Sequence, residues 1–520
     1  MQRVNVGLLC LSSLLFASVA AAQTAVQPTE DVGSASLQNF SGGATIRGTY
    51  FDVRHQSGSG VGYQNGYTQI GAFTPFWLNE DSFIASNSRL LLTDTSEVGV
   101  NSGLVARRYS DATDRIFGIN GYFDADKSTL NNRYRQATLG FETLGEGWDF
   151  RANGYIGLGK TDRFIREICV GGDPFFAGNQ LAFLGQQLRE ESLSGADFEF
   201  GFPVFQSTPW LRAYAGMYGY QSSSKEPIGV RGRMEAWVSD DLSVAVNVTD
   251  DRQFGTNVNA VVDFRFAGFR PTRYFPQWST RERMLMPVQR NWRVATDTYV
   301  QDINIAAVNP ADGLPYFVSH INNTAAAGGD GSFEHPFNTL PASVPGADLI
   351  LVAAGTTTEG APLIGSIALE DNQRLLGEGK LHTANLFATY GGCVVNANFA
   401  LPGSTNNGNY PFLSSGGNII TLANNNEVAG FNLLNAGGDA ITNTVAGSNN
   451  FLLQCLEISG NNGVGINLQN ATGTGIIRGV NLASGSTNHP NPGGFGNNLG
   501  GGIFVDVGAG NLDLDRKSVV

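Results

Sequence analysis

Two groups of residues in this chain are equipped for chemistry. The first is a run of six guanidinium groups, Arg270, Arg273, Arg281, Arg283, Arg290 and Arg293, set against a single acid, Glu282, in a chain of net charge −13. Arginine forks bind carboxylates with two parallel hydrogen bonds, so this stretch asks for acidic partners. Asp149, Glu235 and Asp263 are the acids on the polar face of the alternating segments described next. A solvated basic linker is the plainer alternative. The second group lies in the C-terminal half: Glu370, Asp371, Glu378, Asp439, Glu457 and Asp506, with His320, His335 and His382. Glycan-cleaving sites need carboxylates close together for general acid and base work, and these acids share no common spacing; a solvated surface is the better reading. The histidines lack the paired spacing of a metal site, and no nucleophile elbow, phosphate loop or zinc pair occurs. No catalytic, cofactor-binding or metal-binding residue is therefore predicted, and the chain is read as a non-enzyme without a cofactor. Its acidity also excludes nucleic acid as a partner.

The elements that must position the arginines precede them. Between Ala44 and Phe266 the chain divides into twelve segments of about ten residues, many alternating apolar and polar. Phe150, Ala152, Ile156 and Leu158 share one face, with Asp149, Arg151, Asn153 and Tyr155 opposite; Val258, Ala260, Val262, Phe264 and Phe266 oppose Asn257, Asn259, Asp263 and Arg265. Ser82 to Asp94 alternates poorly. Such a dyad pattern fits a β-sandwich or, turned inside out, an outer-membrane barrel. Two features favour the barrel. Arg3, the apolar run Val6 to Val19 and an A-x-A site predict a signal peptide cleaved between Ala22 and Gln23. Connections after even-numbered segments are short, whereas those after odd-numbered ones are mostly longer, and the stretch from Gly159 to Gly195 is the longest, as expected of two unlike rims. No later stretch reaches the length of an apolar membrane helix.

The runs RIFGINGYFD (115–124), RQATLGFET (135–143), WDFRANGYIGL (148–158), PWLRAYAGMYGY (209–220), GVRGRMEAWVSDDLSVAVNVTDD (229–251) and FRFAGF (264–269) resemble the translocator barrel of inverse autotransporters, the group of intimin and invasin. The resemblance implies outer-membrane lipid around the barrel, barrel-assembly and periplasmic chaperone machinery as partners, and a plug at residues 268–300 that threads the pore toward an exported passenger. It departs from the family in one respect: only about twenty residues precede the barrel, too few for the periplasmic domain some relatives carry.

After Val300 the pattern changes to a repeat. Phe431 and Leu433 recur as Leu456 and Ile458 and then as Val480 and Leu482, and Ile441 recurs as Ile466, with Asn and Gly between. A period near 25 with short β-prone runs signals a β-solenoid, in which Asn side chains stack as ladders. PYFVSH (315–320), GGDGSFEHPFNTL (328–340), DLILVAAGTTTEG (348–360) and IALEDNQRLLGEG (367–379) resemble the first turns of pectate-lyase-type right-handed parallel β-helices, which implies a fold and no activity.

The expected architecture is all-β: a signal peptide (1–22), a short periplasmic segment (23–43), a twelve-stranded transmembrane barrel (44–267), the basic linker or plug (268–300) and a right-handed parallel β-helix passenger (301–514). The passenger stops mid-pattern, and Asp515 to Val520 read as a sequencing artefact. Cys169, Cys393 and Cys455 are expected to remain unbridged. The function expected is export and anchoring of a surface adhesin for an unknown glycan or protein ligand. A surface polysaccharide lyase or hydrolase, and a porin-like channel with an attached β-helix, are the alternatives.

Overall fold

The computed structural model describes residues 45–46, 49–266, 269–270, 279–444, 446–481 and 498–515. The signal peptide with Ala22 and Gln23, the 23–43 segment, Arg273 and residues 516–520 lie outside them.

Twelve antiparallel strands close into a barrel. They are β1 (Tyr50–Ser57), β2 (Tyr67–Leu78), β3 (Ser82–Thr93), β4 (Val98–Ser110), β5 (Arg115–Lys127), β6 (Arg133–Gly145) and β7 (Asp149–Leu158), followed, after an excursion through β8 (Asp162–Cys169), β9 (Phe175–Ala177) and β10 (Gln180–Ser192), by β11 (Ser194–Pro203), β12 (Leu211–Gln221), β13 (Ile228–Trp237), β14 (Leu242–Asp251) and β15 (Gly255–Phe266). Neighbours in sequence pair as hairpins, β7 pairs β11, and β15 returns to β1 with Phe266 opposite Phe51 and Asp263 opposite Arg54. That closing register sets the first barrel strand at Tyr50–Ser57, further along than the start at Ala44 expected from sequence.

Burial decides between barrel and sandwich. Outward residues are apolar and bare: Leu139 is 72% exposed and Ile119 60%, whereas Asp52, Arg89, Arg107, Asp149 and Arg265 on the inner face are at most 2% exposed. A water-soluble sandwich has the opposite arrangement; lipid outside and a polar lumen within require this one. Strand β3, whose hydropathy hardly alternates, alternates in burial residue by residue. Its inward positions include Phe83 and Leu91 because part of the lumen's contents is apolar. One rim carries the connections 79–81, 111–114, 146–148, 204–210 and 238–241, none longer than seven residues; the other carries 58–66, 94–97, 128–132, 222–227, 252–254 and the long excursion from 159 to 193.

The chain divides into two compact units, residues 1–161 with 192–297 and residues 162–191 with 298–520. The excursion β8–β10, which sequence patterning assigned to the barrel region, thus belongs to the second unit. That unit is a parallel β-solenoid. Ile350, Leu375, Val428, Leu453 and Ile477 stack in register rung on rung and are buried. Phe431 lies over Leu456 and Val480, Leu433 over Ile458, and Ile441 over Ile466, as the 25-residue spacing predicts. At one corner Asn425 donates to Asn372 Oδ1 at 3.0 Å, Asn450 donates to Asn425 Oδ1 at 2.8 Å, and Thr474 N donates to Asn450 Oδ1 at 2.7 Å. Each of these Asn residues has φ between 57° and 68°. Asn tolerates that left-handed region better than other side chains, so the residue that permits the turn also ties it to the next coil.

An antiparallel hairpin, Thr383–Tyr390 with Cys393–Ala400, interrupts the coil after Arg374–Gly377. Through it Cys393 meets Cys169 at the end of β8, with Cα atoms 5.7 Å apart in a disulfide. The expectation of unbridged cysteines is therefore corrected: distance along the solenoid sequence does not measure reach when an inserted hairpin leaves the coil. Cys455 keeps its free thiol.

Candidate functional site in the barrel lumen

Alternation places charged residues from neighbouring strands side by side on the inner wall. Arg89 pairs with Asp52; Arg107 reaches Glu142 at 2.7 Å; Arg151 and Arg233 converge on Glu199 at 3.1 and 2.6 Å; and Arg212 reaches Asp149 at 3.0 Å. Buried charges are tolerable only when paired, and this wall pairs cation with anion across the strands.

Residues 279–297 run through the lumen inside that wall, from one rim to the other. At the tight-turn rim Thr280 donates to Asp114 at 2.9 Å, and Arg281 pairs with Asp81 and donates to the Glu80 carbonyl. A single 3₁₀ turn, Arg281–Leu285, follows, with Glu282 accepting from Ser279 N at 2.6 Å. Deeper in, Arg283 reaches Asp149 at 2.6 Å, and Arg107 donates to the Met284 and Met286 carbonyls. Arg290 grips Asp124 with two bonds of 2.5 and 3.0 Å, and Arg293 binds Asp126 at 2.5 Å. Asn101 donates to the Trp292 carbonyl at 3.1 Å. At the opposite rim Thr296 N donates to the Gly62 carbonyl and Leu193 N to the Ala295 carbonyl. The irregular backbone thus borrows its hydrogen bonds from the strands, the condition for non-helical chain at membrane depth. Met284, Leu285, Val288 and Trp292 pack with Tyr50, Phe73, Phe83, Leu91 and Tyr122, and the Arg89 and Arg290 guanidiniums each lie 4.6 Å from the centre of the Trp292 ring. A gap of about 60 Å³ beside Tyr67, Tyr218 and Gln289 has room for a few waters.

Among the residues singled out from sequence, the fold joins Arg283 to Asp149. Among the described residues it does not join the segment to Glu235 or Asp263: Glu235 pairs with Arg233, and Asp263 lies 3.7 Å from Arg54. Arg270 lies in a two-residue strand paired with Thr45–Ile46. The acids that hold Arg290 and Arg293 are Asp124 and Asp126, which sequence reasoning passed over. Their signal was present in the D-x-D spacing at the end of β5, which puts both on the inner face.

In the solenoid the scattered carboxylates serve the coils. Glu370 accepts from Gly346 N and Glu378 from Ala354 N, both at 2.8 Å, Asp371 accepts from Asn424 N at 3.0 Å, and Asp439 accepts from Val464 N at 2.7 Å. Asp506 is exposed and Glu457 half-buried. Among the described residues no group of three or more His, Cys, Asp or Glu is placed to hold a metal ion. His320 and His382 line a cleft of about 260 Å³ whose walls include a single acid, Glu378. His335 forms part of a turn, its N–H donating to Ser332 Oγ. Burial between Phe176 and Phe333 lowers His320 to about 4, and burial also lowers His382, whose Nε2 sits 2.8 Å from the Gly377 carbonyl. A folded-state value below the unfolded one means that the unfolded chain binds the extra proton, so stability falls as pH drops from about 6.5 toward 4. Thermal unfolding of the passenger at pH 7 and pH 5 should show a drop in Tm that His320→Phe reduces; an equal drop in the variant assigns the effect elsewhere.

Residues 44–167 match the family model of the inverse autotransporter β-domain. No curated protein sequence matches the chain. Among solved structures, the β-domain of the Bordetella autotransporter BrkA is 12% identical, covers 43% of this chain and 99% of its own, and has a TM-score of 0.21. Outer membrane phospholipase A from Escherichia coli is 9% identical over 42% of this chain and 92% of its own, with a TM-score of 0.25, and the Acinetobacter baumannii outer membrane protein Omp33 is 9% identical over 42% and 98%, also at 0.25. Likenesses at these scores carry no functional argument. The family match, together with the closed barrel and its bare apolar exterior, places this chain in the outer membrane with a translocator domain similar to that of inverse autotransporters.

Proposed function

We propose that the barrel exports the solenoid through its lumen, stays plugged by residues 279–297, and displays the solenoid at the cell surface as an adhesin. The observation that carries this reading is the course of the plug. It enters at the rim of tight turns, the periplasmic rim in barrels of this class, and leaves at the rim of long loops, after which the chain continues into the solenoid. Outer-membrane lipid covers the apolar exterior, and insertion there calls on barrel-assembly and periplasmic chaperone machinery. The surface ligand, a glycan or a protein, belongs to the solenoid's exposed faces. A polysaccharide-cleaving role finds little support in carboxylates that are already occupied in holding coils together, and the filled lumen argues against a channel.

Protease shaving of intact cells tests the reading. With an epitope inserted after Gly408, an exposed residue outside the strands, protease should remove the epitope and leave a protected fragment of barrel size. An epitope that survives until the outer membrane is broken would place the solenoid in the periplasm and end the export proposal.

A further inference from the structure

The excursion β8–β10 is out of proportion to the barrel's other connections, and its contacts explain its size. Together with β16 (Thr296–Ala306) it forms a four-stranded sheet, with β10 pairing both β8 and β9. Its side chains Phe176, Leu181 and Phe183 share a core with Tyr316, Val318, Leu349, Leu376 and Leu386 of the solenoid. The turn after β9 pairs with the solenoid's first rung, Val318–Ile321: Val318 N donates to the Asn179 carbonyl at 2.8 Å, and Asn179 Nδ2 donates back to the Val318 carbonyl at 3.1 Å. Glu334 accepts from Gly178 N, and Glu167 accepts from Gly391 N at 3.2 Å. An open first rung exposes unpaired backbone and an uncovered core, the hazard at every solenoid end. A segment from the barrel's own loop removes it here.

We infer that this loop is the N-terminal cap of the solenoid and, through Cys169–Cys393, a second covalent anchor, so that the passenger is attached to the barrel at two points of the chain. The inference builds on the export reading. The chain itself, passing from one unit to the other at Asp297–Thr298 within β16, is one attachment, and the disulfide, joining residues 224 apart in sequence, is the other. A single cut in the exposed turn between β16 and the solenoid leaves the passenger bound.

The test uses the full chain with a site-specific protease sequence inserted after Asp312, an exposed position. After cleavage, the protein should run as one species on a denaturing gel without reductant and as two with it, and a Cys169→Ser, Cys393→Ser double variant should give two in either case. Two species from the unsubstituted cysteines without reductant would overturn the second anchor. The cap is tested by replacing residues 162–191 with a short Gly/Ser turn: the barrel should keep its heat-modifiable mobility while the passenger loses its protease-resistant core, and a passenger equally resistant without the loop would overturn that part. Whether cleavage occurs on intact cells reads out the export proposal separately, because the gel reports the bridge on whichever side of the membrane the cut is made.

Discussion

Replacement of Arg283, Arg290 and Arg293 with serine should turn a poorly conducting barrel into an open pore. Each of these side chains fixes the plug to a buried wall carboxylate, Asp149, Asp124 and Asp126 respectively. Removing one partner from a buried ion pair costs about 3–5 kcal/mol, because the other charge is left uncompensated. Water entering the lumen would rehydrate the stranded carboxylates, and the lowest-energy way to admit it is to release the plug. The wall's own pairs, Arg89 with Asp52, Arg107 with Glu142 and Arg233 with Glu199, stay intact, so the barrel should keep its resistance to unfolding in detergent while the ratio of open to plugged channels rises at least ~10-fold, which a loss of about 1.4 kcal/mol in plug retention already gives. Conductance in planar bilayers is the measurement. A triple variant as silent as the parent, or a parent that already conducts freely, would show that the arginines do not hold the pore shut.

Leu139→Lys should be nearly as damaging, for the opposite reason. Leu139 sits near the middle of β6 on the bare outer face. A lysine on the lipid face near the bilayer midplane costs about 2–4 kcal/mol, whereas a substitution at an exposed position of a water-soluble protein typically changes stability by less than about 0.5 kcal/mol. Urea unfolding of the barrel in lipid vesicles separates the two. A loss of the larger size confirms a lipid contact; a variant as stable as the parent would mean that this face meets water.

How far the sequence could be read depended on whether the relevant period was carried by the strand itself. The barrel strands from β5 onward and the solenoid rungs repeat at 2 and about 25 residues, so their faces were legible one residue at a time. Strand β3 was harder because hydropathy assumes a wet lumen, and Phe83 and Leu91 answer to the apolar side chains of a plug from the far end of the barrel sequence. The basic plug was visible as composition, but its partners were set by register. Asp149 faces inward and meets Arg283 of the plug, while Glu235 and Asp263 face inward and are engaged by Arg233 and Arg54 of the wall. The cap and its disulfide left no period at all, since they arise where a barrel loop and an inserted hairpin meet outside both repeats.

The inserted hairpin also shows how the passenger accommodates novelty. Asn372 and Asn425 are 53 residues apart in sequence yet bond to each other much as Asn425 and Asn450 do across 25. The extra length leaves and re-enters the coil without shifting the ladder above or below it. New segments can therefore be spliced into such a corner while the folding signal of every other coil stays intact.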